Sequence, residues 1–496
     1  MIRNFIQLFS LGALITLGFA PFYKFQLLLL AILCFYLILN KRKQAFQAGF
    51  FLGIGINTIG TSWIFNSIYE YGHISYILSG LLTVLFVLYV ATFYGFISLL
   101  YGQLCKKIHF SLQPLLFAAC WCSGEWLKSH LFGGFPWLNL GFATLNTPFA
   151  STLPILGVYA PGFLICLSMG YLGLALQKTG LQRLYGLIGI LLCLIPNAHE
   201  HINPTQPTLN VSIIQGNVKS PDKWDEQFFW QQFADYIAAI QKHLANKQLI
   251  ILPEAALSVP RSYLAQQLTQ LEKISKTANS AVLIGIPELS TKFDYYNTLM
   301  ALGSATGSYK KQQLVPFGES IPHLLLPVLK LLNINLVNTV PGGKMQPLIT
   351  VFNQKIASLI CYELAYPELL RAQASQAKFI VSISDDGWFG HSLALHQHLQ
   401  MAQVLSFMTQ KYQVFVNNNG LSSLINNQGE IIAQLPAWQK SQLNGQVKLN
   451  DFITPWVIYG DTPVFISLIL LALFTFKHNY LRVMKLTLLR RFITSN

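Results

Sequence analysis

Seven apolar runs crowd the first 200 residues, and almost no charge interrupts them. They occupy residues 5–22, 25–39, 45–64, 77–101, 112–131, 153–176 and 184–196; the fifth contains Glu125 and the last is short. A helix crosses a bilayer with roughly 17 to 25 apolar residues, so each run is a candidate span. An eighth, residues 463–476, follows a long polar stretch. At bilayer depth no water satisfies an open backbone, so runs of this kind fold as helices. Charged residues make up only 10% of the chain, against about a quarter in soluble globular domains. An ordinary soluble protein is thereby excluded.

The net charge is +14, which by itself fits nucleic-acid binding, a membrane-surface patch or loops that set topology. Position decides between them. From Glu200 to Asp461 there are 18 basic and 17 acidic residues, while the rest of the chain holds 15 basic and 2 acidic ones. The excess lies beside the apolar runs, where it sets topology, so no nucleic-acid partner is expected. Arg3, Lys41 to Lys43, Lys106, Lys107, Lys178 and Arg183 all fall on one side of alternating spans. The tail residues Lys477, Arg482, Lys485, Arg490 and Arg491 agree, and only Lys24 and Lys128 fall opposite. The positive-inside rule then places both termini in the cytoplasm and the polar region outside it. A cleaved signal peptide is the alternative reading of the first run, but no small-residue cleavage site follows it.

The expected organisation is a polytopic α-helical bundle of about eight spans carrying one extracytoplasmic α/β domain. Its divisions are residues 1–197 for seven helices, 198–462 for the polar domain, and 463–496 for the last helix and a basic tail. Within the domain, short runs rich in β-branched residues predict strands at 209–214, 249–252, 281–286, 298–302, 356–361, 379–383, 414–416 and 423–425. Helical periodicity predicts helices over 224–244, 261–277, 367–376 and 395–410. Gln428-Gly429 reads as a hairpin turn.

Six of the seven cysteines lie in or at the edge of apolar runs, and only Cys361 lies in the polar domain. A lone thiol in a compartment that favours disulfides is a candidate nucleophile, although a small buried hydrophobe at the end of Ala357-Ser-Leu-Ile-Cys361 is an equal reading. A thiol needs a base, and Glu254 ends the apolar run Leu249-Ile-Ile-Leu-Pro-Glu254, where an acid must find partners or stay protonated. The stretch from Gly307 to Glu319 adds Lys311, able to stabilise an oxyanion, and Glu319, able to orient it. Spacing leaves open whether these segments meet.

At these residues the chain resembles the apolipoprotein N-acyltransferases, membrane enzymes whose soluble part belongs to the nitrilase superfamily. The resemblance rests on Pro253-Glu254-Ala255, on Lys311 ahead of Leu314-Val-Pro-Phe-Gly-Glu319, and on Ile360-Cys361-Tyr362-Glu363. Gly133-Gly-Phe-Pro-Trp137-Leu, Ile214-Gln-Gly-Asn217, Lys223-Trp-Asp-Glu226, Asp386-Gly-Trp-Phe-Gly390 and Asn418-Asn-Gly420 extend it over nearly the whole chain. It implies a nitrilase-like αββα sandwich for the polar domain. It also implies Glu254 as general base, Lys311 as oxyanion stabiliser, Cys361 as nucleophile, and Glu319 and Glu363 as accessory acids. Register from Leu314 favours Lys311 over the adjacent Lys310.

The reaction so implied is ping-pong. Cys361 takes an acyl chain from a phospholipid, with phosphatidylethanolamine the expected donor, and passes it to the amino group of a diacylglyceryl-cysteine at an apolipoprotein's N-terminus. The setting would be a bacterial inner membrane with the domain in the periplasm. Trp137, Trp224, Tyr362, Trp388 and Phe389 are candidates for substrate or lipid contact, although tryptophans near a membrane also serve as plain anchors. Two stretches depart from the family pattern. Ser384-Asp385-Asp386 stands where Ser-Asn-Asp is usual, adding a carboxylate, and Gln403 to Lys411 lacks the usual arginines.

Four other readings compete. His391, His396 and His398 lie near Asp385 and Asp386, but positions 396 and 398 point to different faces of a helix and the spacing suits no metal; no cofactor is expected. An amidase or nitrilase would use the same three residues on a small substrate, which gives no reason for eight spans. A transporter needs intramembrane charge, and Glu125 is almost the only acid in the runs. A catalytically silent lipoprotein-binding homologue differs in whether Cys361 forms a thioester.

Overall fold

The computed structural model describes residues 2–41, 43–72, 74–194, 206–223, 225–290, 294–316, 318–320 and 338–470. The chain divides into two compact units, Met1–Ser62 with Val84–Ala198 and Tyr459–Asn496, and Trp63–Thr83 with His199–Ile458.

The first unit is helical. Its helices are α1 (Ile2–Thr16), α2 (Phe25–Lys41), α3 (Ala45–Gly60), α4 (Tyr76–Leu104, whose first turns belong to the second unit), α5 (Gln113–His130), α6 (Tyr159–Gln177) and α7 (Tyr185–Leu192). Helices α1 and α3 pack closely because both present glycine at the contact. A Cβ on Gly12 would lie 2.1 Å from Leu52 O, and one on Gly55 would lie 2.1 Å from Phe9 O. Small residues let apolar helices approach where lipid supplies no hydrophobic drive.

Two of the described helices, over Tyr76–Lys107 and Tyr159–Gln177, are long and apolar enough to cross a membrane by themselves, and Ala45–Gly60 with Ile64–Tyr71 makes a third if that pair is one broken span. Ile2–Thr16, Phe25–Lys41 and Gly180–Leu192 are shorter apolar helices. Several runs are thus longer than the helices they contain. The sixth breaks at Gly157, which has φ +79°, before α6 begins. Residues 462–470 are helical, while the rest of the eighth run and the basic tail lie outside the described residues.

Lys128, one of the two lysines that break the charge alternation, is buried on α5 and donates from Nζ to Trp137 O at 2.5 Å. On the same helix Glu125 accepts from Trp121 Nε1 (3.1 Å) and Leu140 N (2.8 Å), and Ser129 Oγ accepts from Asn139 Nδ2 (3.0 Å). Both charges pin the loop that follows α5. They are internal partners and carry no topology signal.

Among the described residues, the second unit contains two large sheets with helices outside them and a small three-stranded one of Ala305–Thr306, Thr350–Val351 and Gln354–Lys355. The first sheet is built from β1 (Thr208–Gln215), β2 (Gln248–Ile251), β3 (Ala281–Leu289), β4 (Asp294–Gly303) and β5 (Ser308–Lys310). The second holds β6 (Ala357–Ile360), β7 (Ile380–Ser384), β8 (Gln413–Asn417), β9 (Ser423–Ile425) and β10 (Ile431–Gln434). A last strand, β11 (Ser441–Lys448), returns to the first sheet, whose order is β11-β1-β2-β3-β4-β5 with Asn338–Thr339 paired to β4. Strands β1, β2 and β3 run parallel, as do β6, β7 and β8. Parallel neighbours need crossovers, and helices supply them.

Helices α8 (Glu226–His243) and α9 (Ala265–Thr277) cover the first sheet, burying Phe229, Tyr236, Ile240, Leu268 and Leu271 against Ile214, Ile250 and Ile284. Helices α10 (Pro367–Ala374) and α11 (Ala394–Thr409) pack on the second. The sheets meet through β1 and β8, and Ser422 Oγ, just before β9, donates to Gln215 Oε1 on β1 at 2.6 Å. The layers are therefore helix, sheet, sheet, helix. The hairpin turn at Gln428-Gly429 forms between antiparallel β9 and β10, with Gly429 at φ +74°. Strand β11 escapes the hydrophobic pattern because it is a mostly polar edge strand, with Val447 as its one buried residue.

The segment Trp63–Thr83, which the sequence division assigns to the membrane part, groups with the second unit. Asn66 Nδ2 donates to Phe389 O (3.1 Å) and Ser67 Oγ to Trp388 O (2.7 Å). Trp63 meets the Phe389 ring edge-on at 4.7 Å, and Tyr71 stacks on Trp388 at 4.2 Å. The interaction joins residues more than 300 apart and leaves no periodic mark.

Candidate active site

Functional side chains gather where strands of both sheets end. Glu254 follows β2 after Leu252 and Pro253, Lys311 follows β5, Cys361 follows β6, and Asp385 follows β7. Loops after parallel strands open on one edge of a sheet, so residues far apart in sequence converge there.

Glu254 is buried with both carboxylate oxygens engaged. Its Oε1 accepts from Asn297 Nδ2 at 2.6 Å and from Lys311 Nζ at 3.1 Å, and its Oε2 accepts from Asp385 N at 2.9 Å. Burial pushes its pKa up, but Lys311, the Asn297 amide and Lys223 outweigh burial and hold it below the ordinary carboxylate value. Lys311 is 1% exposed and also reaches Glu319 Oε1 at 2.8 Å. Burial disfavours its charge, yet Glu254, Glu319 and Cys361 raise its pKa well above normal, so the ammonium persists. Glu319 accepts from Val315 N (2.9 Å) and Asn297 Nδ2 (3.3 Å), which closes the group.

Cys361 leaves β6 with φ +53°, in the left-handed region that side chains rarely adopt. That turn ends the strand and starts a short 3-10 segment, Cys361–Ala365. The thiol is buried, and burial, then Glu254 and Asp386, push its pKa well above normal, while Lys311 and a Ser384 hydrogen bond pull it down. His398 Nε2 lies 3.0 Å from Cys361 O, and its Nδ1 lies 2.8 Å from Asp386 Oδ1. Asp386 also accepts from Ser384 Oγ and Asn417 Nδ2, both at 2.7 Å. Both ring nitrogens of His398 thus face acceptors, which asks for the imidazolium, and Asp386 raises its pKa in opposition to burial.

Glu363 is fully buried and braces two backbones. Its Oε1 accepts from Gln312 N (2.6 Å) and Gln313 N (3.2 Å), and its Oε2 from Ile360 N (2.7 Å). Tyr309 Oη donates to it at 3.1 Å. It ties the strand end before Cys361 to the chain just after Lys311. Burial raises its pKa to about 7, against those backbone donors and Lys311.

Lys310 points the other way, to Glu288 Oε1 (3.0 Å) and the Tyr296 ring (4.1 Å), as strand alternation requires. Tyr362 is buried and accepts from Tyr366 Oη at 3.2 Å. Trp388 is 37% exposed, whereas Phe389 is buried between Trp63 and His398. Trp137 is 1% exposed within the first unit, stacked on Phe135. Trp224 lies outside the described residues. On α11, Gln403 Nε2 donates to Gly429 O at 2.8 Å, and Lys411 just beyond the helix donates to Asn450 O and Phe452 O.

Sequence reasoning missed Asn297, Tyr309 and the site roles of Lys223 and His398. Asn297 alone had a local signal, a polar amide opening the otherwise apolar run of β4. Among the described residues no group of three or more His, Cys, Asp or Glu has metal-site geometry. A buried thiol, a carboxylate and an ammonium in one field can move a proton off sulfur and stabilise an oxyanion, which is the chemistry of acyl transfer through a thioester.

Residues 11–171 match the family model described as apolipoprotein N-acyltransferase N-terminal domain, and residues 210–454 match the one described as carbon-nitrogen hydrolase. A protein of Pseudomonas syringae pv. tomato named apolipoprotein N-acyltransferase is 32% identical over 476 residues, covering 93% of this chain and 94% of its own length. One of the same name from Coxiella burnetii is 32% identical over 483 residues, covering 94% and 98%. Among solved structures, an amidase from Nesterenkonia sp. is similar at 15% identity with a TM-score of 0.38, covering 52% of this chain and 95% of that one.

Proposed function

The chain belongs to the apolipoprotein N-acyltransferase family, and from that premise we propose that it N-acylates the N-terminal diacylglyceryl-cysteine of apolipoproteins with a phospholipid as donor. Cys361 is the nucleophile, Glu254 the general base and Lys311 the oxyanion stabiliser. Glu319 holds Lys311, and Glu363 holds the turn that carries Cys361. The observation that supports this most is the buried Glu254–Lys311 pair at 3.1 Å, which acts electrostatically on the Cys361 thiol.

The steps balance without a cofactor. Glu254 takes the thiol proton as sulfur attacks the sn-1 ester carbonyl of phosphatidylethanolamine, and Lys311 faces the oxyanion. Collapse breaks the ester bond, and the proton on Glu254 passes to the departing lysophospholipid oxygen. The thioester then meets the acceptor's amino group, which loses a proton to Glu254 as the amide forms, and the thiol is regenerated. Burial of the site keeps water from the thioester. Trp388 and Phe389 are the lipid-contact candidates beside Tyr362. In this reading eight segments span a bacterial inner membrane, both termini are cytoplasmic, and residues 198–462 lie in the periplasm.

Intact-mass spectrometry after incubation with phosphatidylethanolamine, comparing wild type with Cys361→Ala, tests the first half-reaction. A hydroxylamine-labile acyl adduct on the wild type alone is the expected result. A folded wild type that stays unmodified overturns the acyltransferase mechanism.

A further inference from the structure

Behind Glu254 lies a second charge pair to which the steps above give no role. Lys223, just after β1 in the short helix Ser220–Lys223, has its ammonium 2.5 Å from Asp385 Oδ2 and 2.9 Å from Glu254 O. Lys223 and Asp385 are buried, with side chains 3% and 9% exposed. Asp385 in turn gives its backbone N–H to Glu254 Oε2. A closed ring results: Lys223 grips the main chain of Glu254, Asp385 grips its carboxylate, and the ion pair joins the two. The other Asp385 oxygen accepts from Gly387 N and Asn418 Nδ2, each at 3.2 Å.

We propose that Lys223 and Asp385 are positioning residues that act as one unit, holding the Glu254 carboxylate in place, with Asp385 offsetting part of the charge that Lys223 imposes on it. The physical reason is the cost of isolated charge in a dry site. A buried ammonium with no counter-ion is expensive and would drain basicity from any carboxylate it touches. Glu254 sits between two pairs, Lys311 with Glu319 and Lys223 with Asp385, and both are compensated. Asp385 is also where this chain departs from the Ser-Asn-Asp pattern of its family. An asparagine would keep the backbone contact to Glu254 and leave Lys223 unbalanced, so the added carboxylate tunes Glu254 without touching the reacting atoms. The charged and titratable groups around Glu254 are Lys311, Glu319, Tyr295, Cys361, Lys223, Asp385 and His398. The Lys223 ammonium bonds Asp385 Oδ2 and the main-chain oxygen of Glu254, so the side-chain bonds from Lys311 and Asn297 to the Glu254 carboxylate do not pass through it.

The proposal rests on Glu254 being the base for Cys361, so two readouts separate the claims. The first is the pH midpoint for alkylation of Cys361 by iodoacetamide, read on its own peptide by mass spectrometry in the full-length protein. Asp385→Asn lowers that midpoint by about one pH unit and Lys223→Met raises it by about as much, because each leaves one charge uncompensated beside the thiol and its base. The double variant returns to the wild-type midpoint, and Lys223→Arg does not move it. A purely structural pair would weaken folding without shifting the midpoint in opposite directions. If Lys223→Met fails to fold, Asp385→Asn and the double variant carry the same comparison. Folded variants that shift together, or not at all, overturn the proposal. The second readout is thioester formation in Glu254→Gln. If it proceeds at the wild-type rate, the base assignment is wrong whatever the alkylation shows.

Discussion

The ends of β2 and β6 each bury a glutamate, and the two glutamates are pushed in opposite directions. Glu254, after β2, faces Lys311 and Lys223 and is held below the ordinary carboxylate value. Glu363, two residues past Cys361, is braced by backbone N–H groups and Tyr309, and burial lifts it to about 7. Desolvation is the largest influence on both, so burial does not decide the outcome. The partner does: an ammonium within hydrogen-bond reach outweighs desolvation, whereas neutral donors only soften it. One region suits a base that must be ionised at neutral pH, and the other suits a brace that spans two backbones.

Removing the ammonium breaks this comparison most severely. Lys311→Met leaves the buried Glu254 and the half-buried Glu319 without the ammonium they share, at an expected cost of about 3–5 kcal/mol. Glu254 should then move upward as Glu363 has done, and thioester formation should be lost. Thermal unfolding together with the acyl-adduct assay checks both; a stable, acylating variant would contradict the role given to Lys311.

The pH dependence of stability sharpens it next. Glu363 binds its proton more tightly folded than unfolded, so its contribution is complete below 4.5 and is lost as pH rises to about 7. Glu254 behaves oppositely: its contribution is present above 4.5 and is lost as pH falls through its lowered value. The Glu363 contribution is on the order of 3 kcal/mol at most. Between pH 5 and 7.5 the fall in Tm should shrink in Glu363→Gln, and below pH 4.5 the fall should shrink in Glu254→Gln. Parallel curves for all three proteins would show that neither glutamate is perturbed.

The smallest effect is expected one residue away from the largest. Lys310 pairs with Glu288 on a partly exposed face, and exposed pairs contribute about 0–1 kcal/mol. Lys310→Gln should leave acylation within about twofold of wild type, whereas a large loss would move the oxyanion role from Lys311 to its neighbour.

How much of this was legible in the sequence depends on how locally each feature is encoded. Glu254 and Cys361 stand out because a charged residue and a lone thiol each end an apolar strand, and Lys311 separates from Lys310 by register. The hairpin at Gly429 and helices α9 to α11 follow from turn chemistry and periodicity within a residue or two, apart from the 3-10 turn Arg261–Leu264 that begins the first of them. Asn297, Tyr309, Lys223 and His398 were not legible as site residues, because each is placed by a distant partner, 37 residues away for His398 with Cys361 and 162 for Lys223 with Asp385. Lys128 stood out only as an exception to the charge alternation, because a buried lysine and an exposed one look alike in one dimension.

The amino-acid sequence by itself determined a helical membrane part, an α/β polar domain and the short list of residues able to do acyl chemistry, since apolar run length, period and strand-end position are local properties. Tertiary structure alone decided which charges meet. It set Glu254 between two lysines and Glu363 among backbone donors, and it drew Trp63–Thr83 into the second unit. Proximity across strand ends and layers depends on crossover geometry, and crossovers are not written in the residues they bring together.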